Sequence, residues 1–85
     1  MSKGDARAQA RQVFQNMRAV LQVAGGDLSN LMKITTYITK IEDRPAVAEA
    51  RNEVFPGELP ASTLIVVKKL FHPDFLVEIK GIAAV

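Results

Sequence analysis

The polar side chains best placed for chemistry lie in or beside two apolar runs near the end of the sequence. Leu64–Leu70 and Phe75–Ala84 are the segments richest in Val, Ile and Leu, and they predict the central strands of a sheet. Ser62 and Thr63 stand at the entry to the first run, and Glu78 interrupts the second. These three polar residues are therefore the first candidates for a functional site.

Two further side chains have alternative interpretations. Tyr37 lies in a segment of β-branched residues, where it is either a site residue or a half-buried strand aromatic. His72 precedes a proline in a predicted turn and is more simply a loop residue than a catalyst or a ligand. With this single histidine and no cysteine, the sequence excludes a thiolate metal site and a multi-histidine site within one chain.

Length and composition limit the class of protein. Eighty-five residues predict one domain, 1–85, and a hydrophobic fraction of 48% favours surface buried in an oligomer over a monomer. The net charge of +2 comes from scattered basic residues, and few aromatic residues are present, which argues against nucleic-acid binding. No apolar run approaches the roughly 20 residues that span a membrane, and no signal-peptide core follows the first methionine. A cytoplasmic location is expected.

The first predicted helix begins after Asp5, a plausible N-cap, and carries an apolar stripe with three- and four-residue steps from Ala10 to Ala24. Gly25 and Gly26 predict its end, because glycine accepts the left-handed conformation of a C-cap. Asp27 is expected to cap one further turn.

A second helix is predicted after Asp43, which is expected to cap it. Pro45 falls in the first turn, where proline is tolerated. A narrow apolar stripe then leads to Phe55, and Pro56-Gly57 predicts a sharp stop.

Three strands are predicted around this helix. In the first, 32–39, alternation places one set of residues on a single face: Met32, Ile34, Thr36 and Ile38. The second, 62–70, is apolar on both faces through Val67, which predicts that both faces are covered. In the third, 75–84, Gly81 predicts a bulge or a close backbone approach.

The order helix, strand, helix, strand, strand predicts an α+β two-layer sandwich, with two helices packed on a small mixed sheet. The strand–helix–strand unit should be right-handed, so its two strands are parallel. The helices cover one sheet face and leave the other bare. This arrangement again favours a partner chain.

Several segments, in order along nearly the whole sequence, resemble the RidA/YjgF family, also described as endoribonuclease L-PSP or translation initiation inhibitor. They are Gln9–Asn16 with Ala24–Asp27, Lys33–Thr39, Arg44–Val47 with Phe55, Pro60–Thr63, and Val77–Ile79 with Ile82–Ala83.

The resemblance implies a chorismate-mutase-like fold, a homotrimer and small-molecule clefts between subunits. It implies hydrolysis of reactive 2-imino or enamino acids to 2-oxo acids and ammonia, without cofactor or metal. The family glutamate that positions or activates water falls on Glu78, the catalytic candidate. The candidates for substrate binding are Ser62, Thr63 and Tyr37.

This sequence departs from the family pattern at several positions. The family arginine, which holds the substrate carboxylate, is replaced by Ser62, and a neutral hydroxyl cannot make that two-pronged contact. A frequent asparagine of the second helix falls on Ala48, and a small polar or cysteine position falls on Leu64.

A second departure is at the N-terminus. The resemblance implies a domain that lacks the first hairpin of the family, whether as a natural short form, a wrong gene start or a fragment. In the topology that the resemblance implies, strand 75–84 lies beside strand 32–39, and strand 62–70 lies on the other side of 32–39. Without the first hairpin, strand 75–84 is therefore an edge of the sheet. We expect that edge to be paired or covered, for example by a second copy.

Three functions follow as hypotheses. The first is a Rid-type hydrolase that uses Glu78. The second is a non-catalytic module that binds a small metabolite or a protein partner at subunit clefts, favoured by the serine at position 62. The third is the ribonuclease or translation-inhibitor activity of the family's descriptions, against which the sparse basic surface argues.

Overall fold

The computed structural model describes residues 5–55, 57 and 59–84. Its helices and strands follow the predicted order: α1 (Ala6–Val23), β1 (Leu31–Ile38), α2 (Arg44–Val54), β2 (Ala61–Val66) and β3 (Val77–Ala83). Within the described ranges the strands form one sheet in the order β2-β1-β3. β1 is parallel to β2 and antiparallel to β3, which confirms the α+β class and the predicted strand order.

Local signals set both ends of α1. Asp5 has extended backbone angles, and its side chain accepts a hydrogen bond from the Ala8 N–H, as an N-cap should. At the other end Gly25 has φ of 88°. The Gly26 N–H donates to the Leu21 carbonyl at 2.8 Å, which completes a Schellman-type stop.

The start of α2 differs from the prediction. Asp43 is itself in a helical conformation (φ −83°, ψ −8°), and its side chain makes no capping hydrogen bond. The reason is that a 3-10 turn, Ile41–Asp43, runs directly into α2, so no extended residue precedes the helix. Pro45 lies in the first turn as predicted. Pro56, part of the predicted stop, lies outside the described residues.

The alternation of β1 also differs from the prediction at one end. Ile34, Thr36 and Ile38 are buried as expected, but Met32 is 63% exposed and Leu31 is buried instead. The pairing of β1 with β3 shifts register between Leu31 and Lys33. A one-residue shift moves a side chain to the opposite face, so Met32 leaves the core face and Leu31 joins it.

β2 is shorter and less covered than predicted. It ends at Val66 rather than Leu70, and only Leu64 within it is half-buried. Ile65 and Val66 remain 40% and 48% exposed. The expectation that both faces of this strand are covered is therefore wrong for the chain alone, because the helices pack mainly over β1 and β3.

Gly81 in β3 marks a close approach, as predicted. A Cβ added there would lie 2.5 Å from Met17 Cε and 2.8 Å from Leu31 Cδ2. The irregularity in the ladder lies between Leu31 and Lys33 of β1, opposite Ile82 and Ala83, rather than at the glycine, which pairs with Ile34. β3 spans Val77–Ala83, shorter than predicted, and forms one edge of the sheet.

The core lies between the two helices and the sheet. Phe14 of α1 is fully buried and meets Phe55 edge-on, with ring centroids 5.6 Å apart. Gln9 is also buried. Its side chain donates to the Asp74 carbonyl at 2.9 Å and accepts from the Leu76 N–H at 2.7 Å, which ties α1 to the segment that leads into β3.

Candidate functional site

The predicted site residues divide between the two faces of the sheet. Tyr37 on β1 is paired directly with Glu78 on β3, and both lie on the face away from the helices. Thr63 shares this open face, paired with Thr35. Ser62 is paired with the buried Ile34, so it lies on the helix side. The structure therefore brings Tyr37 and Glu78 together and separates both from Ser62.

Tyr37 and Glu78 line an open-face pocket of about 490 Å³. Its walls come from β1, β3 and the segment between β2 and β3: Tyr37, Val67, Lys69, Leu70, Phe71, Glu78, Ile79 and Lys80. Glu78 Oε1 accepts a hydrogen bond from the Phe71 N–H at 2.9 Å. This bond holds one carboxylate oxygen toward the loop, and Glu78 Oε2 has no hydrogen-bond partner among the described residues.

His72 lies in that loop, where its contacts are with other residues of the turn. Its Nδ1 accepts a hydrogen bond from the Asp74 N–H at 3.1 Å, and its ring lies 5.3 Å from the ring of Phe75. These local contacts agree with its interpretation as a loop residue. His72 does not line the open-face pocket.

Ser62 lines a second, smaller space, the helix-side cavity, of about 210 Å³ between α2 and β2. The cavity is lined by Phe14, Thr36, Arg44, Val47, Ala48, Arg51, Ser62 and Leu64. The fold thus gathers Ala48, Ser62 and Leu64, three positions at which the sequence departs from the family pattern.

Two arginines in this cavity, Arg44 and Arg51, were missed from the sequence as site residues. Their spacing did carry a signal. Residues 44, 48 and 51 recur at four- and three-residue steps, which places them along one side of α2, beside the stripe that includes Val47. The sequence could not show that this side lies over Ser62, because that contact depends on how β2 returns beneath the helix.

The arginines of the two helices differ in their partners. Arg7 and Arg11 both hydrogen-bond the Glu53 carboxylate, and Arg18 lies 3.0 Å from Asp27. Arg7, followed by Arg11, lowers the pKa of Glu53 below its ordinary value. Arg44 and Arg51, in contrast, form no ion pair with any described carboxylate. Arg51 Nε is buried and has no hydrogen-bond partner in the described part of the chain.

Two further concave regions of the described residues contain none of the predicted site residues. A wider cleft of about 700 Å³ is bordered by Arg18, Asp27, Phe55 and Pro60, among others. An apolar groove of about 420 Å³ runs between α1 and β3. Across residues 5–55, 57 and 59–84, no three His, Asp or Glu side chains cluster as metal ligands, and none of the helices is long and apolar enough to span a bilayer.

A two-layer α+β domain with this topology, two helices over one face of a mixed sheet, is also found in proteins of known structure. A protein of unknown function from Pseudomonas aeruginosa superposes with a TM-score of 0.91 at 46% identity, over 93% of this chain and 57% of that one. The family model described as Endoribonuclease L-PSP matches residues 1–85. The chain belongs to this family, the RidA/YjgF family.

Two relatives extend the comparison. A RutC family protein of Pyrococcus horikoshii is 37% identical over 81 residues, which are 95% of this chain and 64% of the relative. A Dermatophagoides farinae protein named 2-iminobutanoate/2-iminopropanoate deaminase is 32% identical over 85 residues, 100% of this chain and 66% of that protein. The chain thus spans about two-thirds of the length of the curated relatives it matches.

Proposed function

We propose that this chain acts in a Rid-type hydrolase that converts small 2-imino or enamino acids to 2-oxo acids and ammonia. Family membership supports the class, and the name of the mite relative supports the reaction. The single observation that carries the proposal is the position of Glu78. It is a carboxylate paired with Tyr37 in a pocket on the open face, with one oxygen held by the Phe71 N–H.

In this mechanism Glu78 handles the proton of the attacking water. Glu78 Oε2 accepts a proton as the water oxygen forms a bond to the imine carbon, and the carboxyl then returns a proton to the nitrogen. In a second transfer the carboxylate takes the proton of the carbinolamine hydroxyl and passes it to the amino nitrogen. The carbon–nitrogen bond then breaks, so that one imine and one water give one carbonyl compound and one ammonia. The Phe71 hydrogen bond orients the carboxylate, which reduces the cost of aligning it with the substrate.

The site is proposed to be shared between copies of the chain, with a homotrimer as the expected assembly. Within one chain Glu78 and the helix-side cavity lie on opposite faces of the sheet, so they cannot contact one small ligand. A second copy packed on the open face would bring its own cavity toward Glu78. Ile65 and Ile82, 40% and 59% exposed on that face, supply apolar surface for such an interface.

The central experiment measures ammonia released from a freshly generated 2-aminoacrylate-type imine. Glu78→Ala should lower the rate about 100-fold or more, since general acid–base groups typically contribute 10²–10⁴. Glu42→Ala, which removes an exposed carboxylate of the 3-10 turn before α2, is the matched control and should retain the rate. A native rate equal to buffer, or an unchanged rate in Glu78→Ala, would contradict the proposal.

Mixing variants tests whether the site is shared. Ser62→Leu is designed to fill the helix-side cavity, and alone it should be as inactive as Glu78→Ala. Co-refolded copies of the two variants should regain part of the activity, because some sites would combine an intact cavity with an intact glutamate. A protein whose solution mass is that of a monomer, or mixed oligomers without recovered activity, would exclude the shared site.

A non-catalytic binding module is the second candidate, and the serine at position 62 favours it. Without the family arginine the chain lacks the usual two-pronged carboxylate contact from β2. This candidate predicts saturable binding of a small metabolite with no release of ammonia. Ser62→Arg is the informative variant, since under the hydrolase proposal it should lower KM.

A further inference from the structure

The helix-side cavity carries positive charge. Arg44 and Arg51 line it, and neither has an ion-pair partner among the described residues. Arg51 Nε is shielded from solvent, so a ligand in the cavity would contact the terminal nitrogens of the guanidinium groups. Two guanidinium groups without a carboxylate partner beside one cavity favour an anionic ligand.

Hydroxyl groups complete the polar part of the cavity. Thr36, 3% exposed, enters from β1, and Ser62 enters from β2. Apolar walls come from Phe14, Val47 and Leu64. An anionic head with a short apolar tail matches this lining, because guanidinium and hydroxyl donors bind carboxylate oxygens and the apolar walls can contact the tail.

We propose that Arg51, together with Arg44, binds the carboxylate of a small 2-oxo or 2-imino acid in the helix-side cavity. α2 would thereby supply the guanidinium that position 62 of β2 lacks. The inference rests on the proposed function for its substrate class. The carboxylate contact then comes from α2 rather than from β2, and Arg51 is a specificity-determining residue.

The volume of the cavity suits a small acid. A water occupies about 30 Å³ in the liquid, so about 210 Å³ corresponds to roughly seven waters. An acid of three or four carbons fits this volume. Pyruvate is therefore a suitable probe, and pyruvamide is its uncharged counterpart of similar shape.

A purely structural role for Arg51 is the competing explanation. Asp43 Oδ2 is also buried without a hydrogen-bond partner among the described residues, and both atoms belong to the region of α2 and the turn before it. If Arg51 interacts with Asp43 rather than with a ligand, Asp43→Asn should change pyruvate binding as much as a change at Arg51 does. The proposal instead expects Asp43→Asn to leave pyruvate binding within about twofold of the native value.

The test is pyruvate titration of the full chain in its native assembly, followed by backbone NMR shifts and calorimetry. Arg51→Gln should weaken binding at least tenfold, Arg51→Lys should restore part of it, and pyruvamide should bind at least tenfold more weakly than pyruvate. Arg11→Gln is the matched control for net charge, because Arg11 is ion-paired to Glu53 and does not line the cavity. Unchanged amide spectra away from the cavity establish that each variant is folded.

The possible outcomes separate this inference from the proposed function. Pyruvate binding that depends on Arg51, in a protein that releases no ammonia, supports the inference and removes the hydrolase function. Ammonia release that is unaffected by Arg51→Gln keeps the hydrolase and overturns the inference. Absence of saturable pyruvate binding, or equal losses in Arg51→Gln and Arg11→Gln, would also overturn it.

Discussion

The two faces of the sheet are built from the same three strands but reach very different degrees of burial. On the helix side Ile34 and Ile38 are fully buried and Val77 is 1% exposed. On the open face Ile65 and Ile82 remain 40% and 59% exposed. The helix-side face forms a core with the chain's own helices, whereas the open face keeps apolar residues beside the Glu78 carboxylate.

The residues that stabilise the fold and the residues proposed for catalysis therefore lie on different faces of the sheet. Phe14 and the residues around it hold the two layers together, so changes there should act on folding. Tyr37 and Glu78 occupy a surface that the chain leaves uncovered, so changes there should act on catalysis or on association. The helix-side cavity lies at the boundary of the two regions, where α2 does not fully cover β2.

The largest expected difference between the faces comes from removing one large side chain from each. Phe14→Ala should lower the free energy of unfolding by about 3–5 kcal/mol, because it leaves a cavity in the core against Phe55. Ile65→Ala on the open face should cost about 1 kcal/mol or less at concentrations where the chain is monomeric. Urea titration measures both values.

Equal losses at the two positions would contradict the comparison. If Phe14→Ala does not fold, Phe14→Leu replaces it, with an expected loss of roughly 1–2 kcal/mol. A loss for Ile65→Ala that grows with protein concentration would indicate instead that a second copy covers the open face.

A smaller effect is expected where α1 approaches β3. Gly81→Ala should lower the free energy of unfolding by about 1–3 kcal/mol, because its Cβ would crowd Met17 and Leu31. Gly57→Ala is the control, since a Cβ there meets no atom within 4 Å. Adding Met17→Ala to Gly81→Ala should recover part of the loss. Thermal melts that show no such coupling would argue against the close approach.

The smallest effect concerns the exposed ion pairs that join the outer sides of α1 and α2. Hydrogen bonds from Arg7, then Arg11, lower the pKa of Glu53 from its ordinary value of 4.5. A carboxyl whose pKa is lowered on folding contributes stability above its unfolded pKa, and this contribution is lost as pH falls through the folded pKa. Native protein should therefore be more stable than Glu53→Gln at pH 7, and the difference should shrink below about pH 4.

Salt provides the control for this pH dependence. The pair is exposed, so the difference between native protein and Glu53→Gln at pH 7 should also shrink in concentrated NaCl. A difference that is constant with pH and salt would show that Glu53 acts through packing rather than charge.

Much of the fold was predictable because the relevant interactions are local. The Asp5 cap, the glycine stop after α1 and the alternation of Ile34, Thr36 and Ile38 depend on neighbours within a few residues. The right-handed crossover rule then oriented β1 and β2 as parallel. Glu78 was singled out from the sequence, and its role was assigned by the resemblance. Its pairing with Tyr37 required the register of β1 and β3.

The errors have two different origins. Met32 continues the alternation of β1, yet the register shift against β3 turns it outward and buries Leu31, so strand pairing outweighs the local pattern there. Asp43 is a residue type that commonly caps helices, but the adjacent 3-10 turn draws it into a helical conformation.

The sequence by itself determined the elements, their order, the α+β class and the identity of the carboxylate proposed for catalysis. Hydrophobic period, helix caps and glycine positions carry that information, since each acts over one or two turns of chain. Only the tertiary structure decided that Glu78 and Ser62 lie on opposite faces, and that Arg44 and Arg51 line the cavity beside Ser62. Strand register and the seating of α2 over β2 set those relations, and both depend on contacts between residues far apart in sequence.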